Sequence, residues 1–235
     1  ASNNTAVGYQ AGYSNTTGTE LTAIGKGALY TNSTGNYNTA VGYQSLRLNT
    51  TGSSNAAFGD EALRSNTTGG NNTASGNIAL YANTTGTQNA AFGMQALRFN
   101  TTASNNTAVG YQAAYSNTTG SPTTAFGKQA LYANTTGTNN CAFGQGTLQT
   151  NITGTDNSAF GTLALRDNTG LANSAVGYAS MLTNTSGANN VAMGVSSLRV
   201  NTTGGQNTAL GTSALYANTT ASNNTAVGYR AAYAN

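Results

Sequence analysis

The stretch Asn38-Thr-Ala-Val-Gly-Tyr-Gln-Ser-Leu-Arg-Leu-Asn-Thr-Thr-Gly-Ser-Ser54 determines how the whole chain is organised. Its seventeen-residue pattern begins again at Asn55-Ala-Ala-Phe-Gly59 and continues to the end of the 235 residues. A fixed period of this kind is the signature of a repeat architecture. The glycine that closes the opening pentapeptide marks fourteen copies, with one step of sixteen before Gly177: Gly8, Gly25, Gly42, Gly59, Gly76, Gly93, Gly110, Gly127, Gly144, Gly161, Gly177, Gly194, Gly211 and Gly228.

Each position of the repeat has its own chemical character. We number the repeat from Asn38 as position 1, which places Gly42 at position 5. Position 3 is alanine in every copy, and position 4 is a larger apolar residue in every copy except that of Ser75. Position 8 is small, position 9 is mostly leucine, and positions 13 to 15 read Thr-Thr-Gly with few departures. Position 12 is asparagine throughout, from Asn15 to Asn235.

These columns predict an all-β fold with two short strands in each coil and turns at the glycines. Because side chains alternate across a strand, positions 3 and 4 should face opposite ways, and so should positions 8 and 9. Apolar residues kept in register over fourteen copies argue against disorder. The predicted fold is therefore a parallel β-solenoid or β-roll of fourteen seventeen-residue coils, in a single repeat array over residues 1–235 of a longer fibrous protein.

The two columns of large residues predict self-association. If the small residues at positions 3 and 8 fill a thin coil, the residues at positions 4 and 9 point outward and form a large apolar patch. Such patches mark interfaces. We therefore expect a parallel homotrimer with its chains in register, with an inter-chain core of Phe58, Phe92, Phe126, Phe143, Phe160, Leu63, Leu97, Leu131 and Leu165.

The asparagine of position 12 has two interpretations. An amide both donates and accepts, so identical asparagines one coil apart can form a hydrogen-bonded ladder. Alternatively, Asn15, Asn32, Asn49 and their counterparts open Asn-x-Thr/Ser triplets and could carry N-linked sugar. The ladder explains the spacing without any modification, and we favour it.

Position 10 is the column with the most functional character, since tyrosine and arginine dominate it. These groups could form a ridge that stacks on the sugar rings of a host-surface glycan. The alternative is stacking between neighbouring coils, which we favour. The column consists of Tyr13, Tyr30, Arg47, Arg64, Tyr81, Arg98, Tyr115, Tyr132, Arg166, Arg199, Tyr216 and Tyr233.

Composition excludes several other functions. There is no histidine, and among the five acids only Glu20 and Asp156 share a repeat position, eight coils apart, so no catalytic pair or metal site can be assembled. We expect no enzyme activity and no cofactor. Eight basic residues are spread without a run, which excludes a nucleic-acid footprint, and no apolar stretch is long enough for membrane insertion. Cys141 stands where most copies have Thr or Ser, so we interpret it as a tolerated small residue rather than a reactive thiol.

The repeat also resembles known families. The run Asn106-Thr-Ala-Val-Gly-Tyr-Gln-Ala113, followed by Tyr115-Ser-Asn-Thr-Thr-Gly120, resembles repeat regions of phage tail-fibre proteins and bacterial surface adhesins. The Ala-Val/Ile-Gly core is similar to the head of trimeric autotransporter adhesins, which are parallel β-rolls of three identical chains with shorter repeats. The resemblance implies a structural shaft that acts as a rigid spacer, on a virion tail fibre or at the cell surface.

Two other functions stay open at this point. The Thr-Thr pair at positions 13 and 14 could form a flat array of hydroxyls on a monomeric ice- or surface-binding solenoid. The chain could also belong to a bacterial extracellular filament.

Overall fold

The computed structural model describes residues 1–234, so Asn235, the last asparagine of position 12, lies outside the described residues. The protein is all-β, with fourteen parallel strands that form a β-solenoid of about 13 turns with about 17 residues per coil. The predicted fold class is confirmed at this level. Two compact units divide the chain, Ala1–Ser121 and a second unit that starts at Pro122.

The first unit contains seven short strands, each paired in parallel with the equivalent strand one coil away. Thr39 pairs with Ala56 and Val41 with Phe58, so identical repeat positions lie side by side. Threonine and branched or aromatic apolar residues favour extended backbone, which explains why the strands form at positions 2 to 4. The strands are β1 Thr5–Val7, β2 Thr22–Ile24, β3 Thr39–Val41, β4 Ala56–Phe58, β5 Thr73–Ser75, β6 Ala90–Phe92 and β7 Thr107–Val109.

The second unit repeats this arrangement with seven strands of three or four residues. At its start the sequence departs from the repeat, because Pro122 occupies position 17 and Thr123 replaces the asparagine of position 1. Proline cannot adopt the positive φ that most copies have at position 17, as at Asn105 and Asn139. The strands are β8 Thr123–Phe126, β9 Asn140–Phe143, β10 Ser158–Phe160, β11 Ser174–Val176, β12 Val191–Met193, β13 Thr208–Leu210 and β14 Thr225–Val227.

Positions 5 to 12 form turns, so the predicted second strand of each coil is wrong. Within one coil, the Ser45 amide donates to the Gly42 carbonyl and the Asn49 amide donates to the Leu46 carbonyl, each at 3.4 Å. Gln44 at position 7 has φ 50° and Leu46 at position 9 has φ 51°, both in the left-handed region. Side-chain alternation is a property of extended backbone, and it does not hold through these residues.

The left-handed backbone turns the leucine of position 9 into the coil. Leu63, Leu97, Leu131 and Leu165 are each 0% exposed within the single chain. The prediction that these leucines lie between chains is therefore wrong. A left-handed residue costs about 1–2 kcal/mol, whereas full burial of a leucine is worth about 1.5–3 kcal/mol, so burial compensates for the backbone conformation.

Alanine and asparagine fill the rest of the narrow interior. The predicted small-residue layer is confirmed, since Ala57 at position 3 and Ala62 at position 8 are fully buried. Glycine is required at position 5, where Gly42 has φ 136° and a Cβ atom would lie 2.3 Å from the carbonyl oxygen of Gly59 in the next coil. At this corner the backbones of neighbouring coils are therefore in direct contact.

Candidate functional site

The outward-facing side chains at positions 2 and 4 of the strands form an outer sheet face in each unit. Position 4 is its apolar column, and Phe58, Phe92 and Phe160 remain 43%, 43% and 42% exposed. In the second unit, the rings of Phe126 and Phe143 stack with centroids 4.8 Å apart. These five phenylalanines therefore have the outward orientation that the sequence predicted, and their contact with a second chain stays a prediction.

The outer sheet face is uncharged. Positions 2 and 4 of the described residues carry no Asp, Glu, Lys or Arg. Cys141 lies there at position 2 of β9, and burial raises the pKa of its thiol, which favours the neutral form. An uncharged, partly apolar surface built on regular backbone is suited to packing against another protein surface.

A second exposed column at position 6 was not predicted. It lies two residues beyond position 4 along the chain, and apolar or aromatic side chains recur in it. The alternation of large residues at positions 4 and 6 around the invariant glycine could have indicated it. Its most exposed apolar members are Tyr9, Tyr43, Met94, Tyr178, Val195 and Tyr229.

The tyrosine–arginine column at position 10 is stacked along the coils. The guanidinium of Arg47 lies 5.3 Å from the ring centroid of Tyr30, and Tyr13 stacks on Tyr30 at 5.3 Å. Arg64 donates from Nη1 to the hydroxyl of Tyr81 at 2.8 Å. Contacts of the same kind join Arg98 to Tyr115 and Arg199 to Tyr216, while Tyr216 stacks on Tyr233.

These contacts occupy ring faces that a sugar would need. They support the interpretation as stacking between coils, and the glycan ridge stays a prediction. Arg166 differs from the other arginines, because its Nε donates to Asp167 Oδ1 at 2.9 Å. That hydrogen bond raises the pKa of the Arg166 guanidinium. Tyr132 lies half-buried in the same column.

Two asparagine ladders run through the interior, and the sequence predicted one of them. At position 12, Asn66 Nδ2 donates to Asn49 Oδ1 at 2.7 Å and to the Gly69 carbonyl at 2.8 Å. At position 1, the backbone amide of Asn72 donates to Asn55 Oδ1 at 3.0 Å and its Nδ2 donates to the same oxygen at 3.2 Å. The recurrence of asparagine at position 1 in most copies was the signal for the second ladder.

The threonines of positions 13 and 14 have different environments. The hydroxyl of Thr50 at position 13 donates to the carbonyl of Thr67 in the next coil at 2.9 Å. The threonine of position 14 is exposed, as at Thr51 and Thr68. One of the two columns therefore supports the backbone, and the other faces solvent.

The described residues form no enclosed binding site. Over residues 1–234 there is no pocket and no group of three or more His, Cys, Asp or Glu residues that could hold a metal ion. The same residues contain no helix with the length and apolarity needed to cross a membrane. No family model, no curated protein and no solved structure matches the chain.

Proposed function

We propose that this chain is a non-catalytic structural shaft, a rigid spacer whose outer sheet face packs against the same face of further copies in a parallel homotrimer. The observation that carries the proposal is the exposed column of position 4, half-exposed phenylalanines on an uncharged strand face. Full burial of such a side chain is worth about 1.5–3 kcal/mol. Because every coil except that of Ser75 repeats the column, the gain from association accumulates with coil number.

A second copy of the chain is the partner that fits this face best. In a parallel in-register assembly each layer meets an identical layer, so the seventeen-residue spacing of one face matches that of its partner. When the same chain-to-chain contact is repeated by rotation about one axis, the subunits close into a ring. The chain has only thirteen charged residues among 235, which keeps repulsion between copies small.

The resemblance to tail fibres and surface adhesins supplies the biological setting of this proposal. A shaft on a virion tail fibre, or on a cell surface, holds a receptor-binding tip away from the particle. Repeated coils suit that task, because adding or removing a coil changes the length without changing the chemistry. A host-surface glycan is the external ligand that the tyrosine–arginine column would contact in this setting.

The oligomeric state of the unmodified chain tests the proposal. Sedimentation equilibrium and native mass spectrometry should give three times the chain mass of 23.6 kDa. Small-angle scattering on the same sample should give an elongated particle. A stable soluble monomer would contradict the self-association, and a compact particle would contradict the spacer function.

The second candidate is a monomeric ice- or surface-binding solenoid. The observation in its favour is the exposed hydroxyl column of position 14, which lies at the same place in every coil of the first unit. A thermal-hysteresis measurement separates the candidates, since activity together with a monomeric mass supports this function and contradicts the shaft. The column consists of Thr17, Thr34, Thr51, Thr68, Thr85, Thr102 and Thr119.

A further inference from the structure

Asn-x-Thr/Ser triplets occur in two columns of the repeat, and the fold treats them differently. The triplets of position 12 include Asn49-Thr-Thr51, and those of position 17 include Asn71-Asn-Thr73. Both match the acceptor motif for N-linked sugar. The two columns can therefore be compared as modification sites within one chain.

The side-chain amide nitrogen at position 12 is buried and hydrogen-bonded inside the coil. Asn49 is 0% exposed, and its Nδ2 donates to Asn32 Oδ1 at 2.7 Å and to the Gly52 carbonyl at 2.8 Å. Both amide hydrogens are in use, and the Oδ1 of Asn49 accepts from Asn66. A sugar on Asn49 would need space that the core does not have and would break the ladder on both sides.

The side-chain amides of Asn71 and Asn105, both at position 17, are free and exposed. Asn71 and Asn105 are exposed, with φ 59° and 60°, a region that asparagine tolerates better than most residues. Neither side-chain amide makes a hydrogen bond to another described residue. The hydroxyl residues of their triplets, Thr73 and Thr107, lie half-buried at position 2 of β5 and β7. Gln88 occupies position 17 in the coil between them, so sugars on Asn71 and Asn105 would not stand on adjacent coils.

We propose that Asn71 and Asn105, together with the equivalent Asn3 and Asn223, are acceptors of N-linked sugar on the folded chain, and that sugar on position 12 is incompatible with the fold. In the transfer, Nδ2 attacks the anomeric carbon of a diphosphate-activated hexose. The carbon–nitrogen bond forms, the bond from that carbon to the diphosphate oxygen breaks, and an amide proton passes to a base of the transferase. Modification of this chain therefore has to follow folding.

The second unit contains an internal comparison. Asn139 occupies position 17 there, but its Nδ2 donates to Asp156 Oδ1 at 2.9 Å, and its triplet ends in Cys141. We expect Asn139 to stay unmodified although it is exposed.

The test uses the folded 235-residue chain, a soluble N-glycosyltransferase and a nucleotide-activated hexose, with site occupancy measured by peptide mass spectrometry. Occupancy of Asn71 should exceed that of Asn49 at least about tenfold, because Asn49 reacts only when its coil opens. In a proteolytic digest of the same chain, both asparagines should accept sugar. The variants Thr73→Val and Thr51→Val remove one acceptor motif each and leave both asparagines in place.

Two results would overturn the proposal. One is comparable sugar on Asn49 and Asn71 in the folded chain. The other is no sugar on folded Asn71 when the digest shows that its peptide is a substrate. A refolding experiment tests directly whether sugar on position 12 is incompatible with the fold. Chain that is glycosylated at position 12 while unfolded should not recover the circular dichroism spectrum of the native chain. Full recovery of that spectrum would contradict the incompatibility. Because Thr73 lies on the outer sheet face that the shaft proposal covers with other copies, occupancy is measured on the variant Phe58→Asp, Phe92→Asp, expected to be a single chain, as well as on the parent chain. The two proposals can then fail separately.

Discussion

Asn49 donates its side-chain amide to Asn32 Oδ1 at 2.7 Å, and both side chains are completely buried. The same bond joins Asn66 to Asn49 and Asn83 to Asn66. A buried amide is stable only when its hydrogen-bonding groups have partners. Stacking identical coils provides these partners, because the donor of one coil meets the acceptor of the preceding one.

The first prediction breaks this ladder with a substitution of nearly the same shape. Asn66→Asp removes the donor to Asn49 Oδ1 and the Gly69 carbonyl, and it places a carboxylate in the interior. We expect a loss of about 3–5 kcal/mol in the free energy of unfolding at pH 7, as for other uncompensated buried charges. Chemical denaturation measures the loss, and Thr68→Val, at an exposed position of the same coil, should change stability by less than about 0.5 kcal/mol.

The loss should depend on pH. Burial disfavours the carboxylate, so the folded-state pKa of the introduced Asp lies above its unfolded value of about 3.9. The folded state then binds more protons, and stability relative to the parent chain falls as the pH rises from the unfolded to the folded pKa. Part of the loss should therefore be recovered at pH 3, where a neutral carboxyl can again donate one hydrogen bond. An equal loss at pH 3 and pH 7 would contradict the buried position.

The second prediction concerns the left-handed residues of position 7. Ser213 has φ 56°, while Gly27 and Gly146 occupy the same position in other coils with φ 68° and 63°. Ser213→Gly removes a backbone penalty of about 1–2 kcal/mol and adds about 0.4–1 kcal/mol of unfolded-state entropy. We expect a net stabilisation of about 0.5–1 kcal/mol in chemical denaturation. At the neighbouring Thr212, where φ is not positive, substitution by glycine should destabilise the chain.

These left-handed residues also explain what the sequence could and could not predict. The period, the alanine column and the asparagine of position 12 were sufficient to predict a parallel β-solenoid and one ladder. The rule that neighbouring side chains face opposite ways holds only for extended backbone, and it fails at positions 8 and 9, where Leu46 is left-handed. Gly12, Gly27 and Gly146, which replace larger residues at positions 9 and 7, were the available clue to positive φ.

The sequence predicts the exposed residues of position 4 but not those of position 6, and the reason is again the backbone conformation. Position 4 lies on a true strand, so alternation places Phe58 outward opposite the buried Ala57. Position 6 follows the glycine of position 5, whose φ near 130° redirects the chain. No strand rule applies beyond that glycine, so only the recurrence of large residues at position 6 could indicate the exposure of Tyr43 and Tyr178.

The third prediction tests the corrected place of the leucines. Leu63→Ala should lower the free energy of unfolding by about 2–5 kcal/mol, because it leaves a cavity in the interior of the coil. The backbone can remain as it is, since Ala114 occupies position 9 with φ 48°. Denaturation together with sedimentation should show reduced stability with an unchanged oligomeric state. If the variant folds but its oligomeric state changes, Leu63 contacts a second chain and its placement inside the coil is wrong.

The fourth prediction concerns the outer sheet face. In the double variant Phe58→Asp, Phe92→Asp, two side chains that are each 43% exposed become charged. If the face is covered by other copies, the carboxylates would be buried without partners, at a cost of several kcal/mol per copy. Sedimentation equilibrium should then give the mass of a single chain, and circular dichroism should remain that of the parent, because both positions face out of the coil.

A matched control uses apolar residues of similar exposure at other repeat positions. Ile152 at position 13 and Leu171 at position 16 are each 49% exposed. Changing both to Asp removes the same kind of surface but leaves positions 2 and 4 intact, so the oligomer should persist. If the control variant dissociates as readily as the phenylalanine variant, association depends on exposed apolar residues in general and not on the outer sheet face. If neither variant changes the mass of an assembled parent, the outer sheet face is not the contact surface.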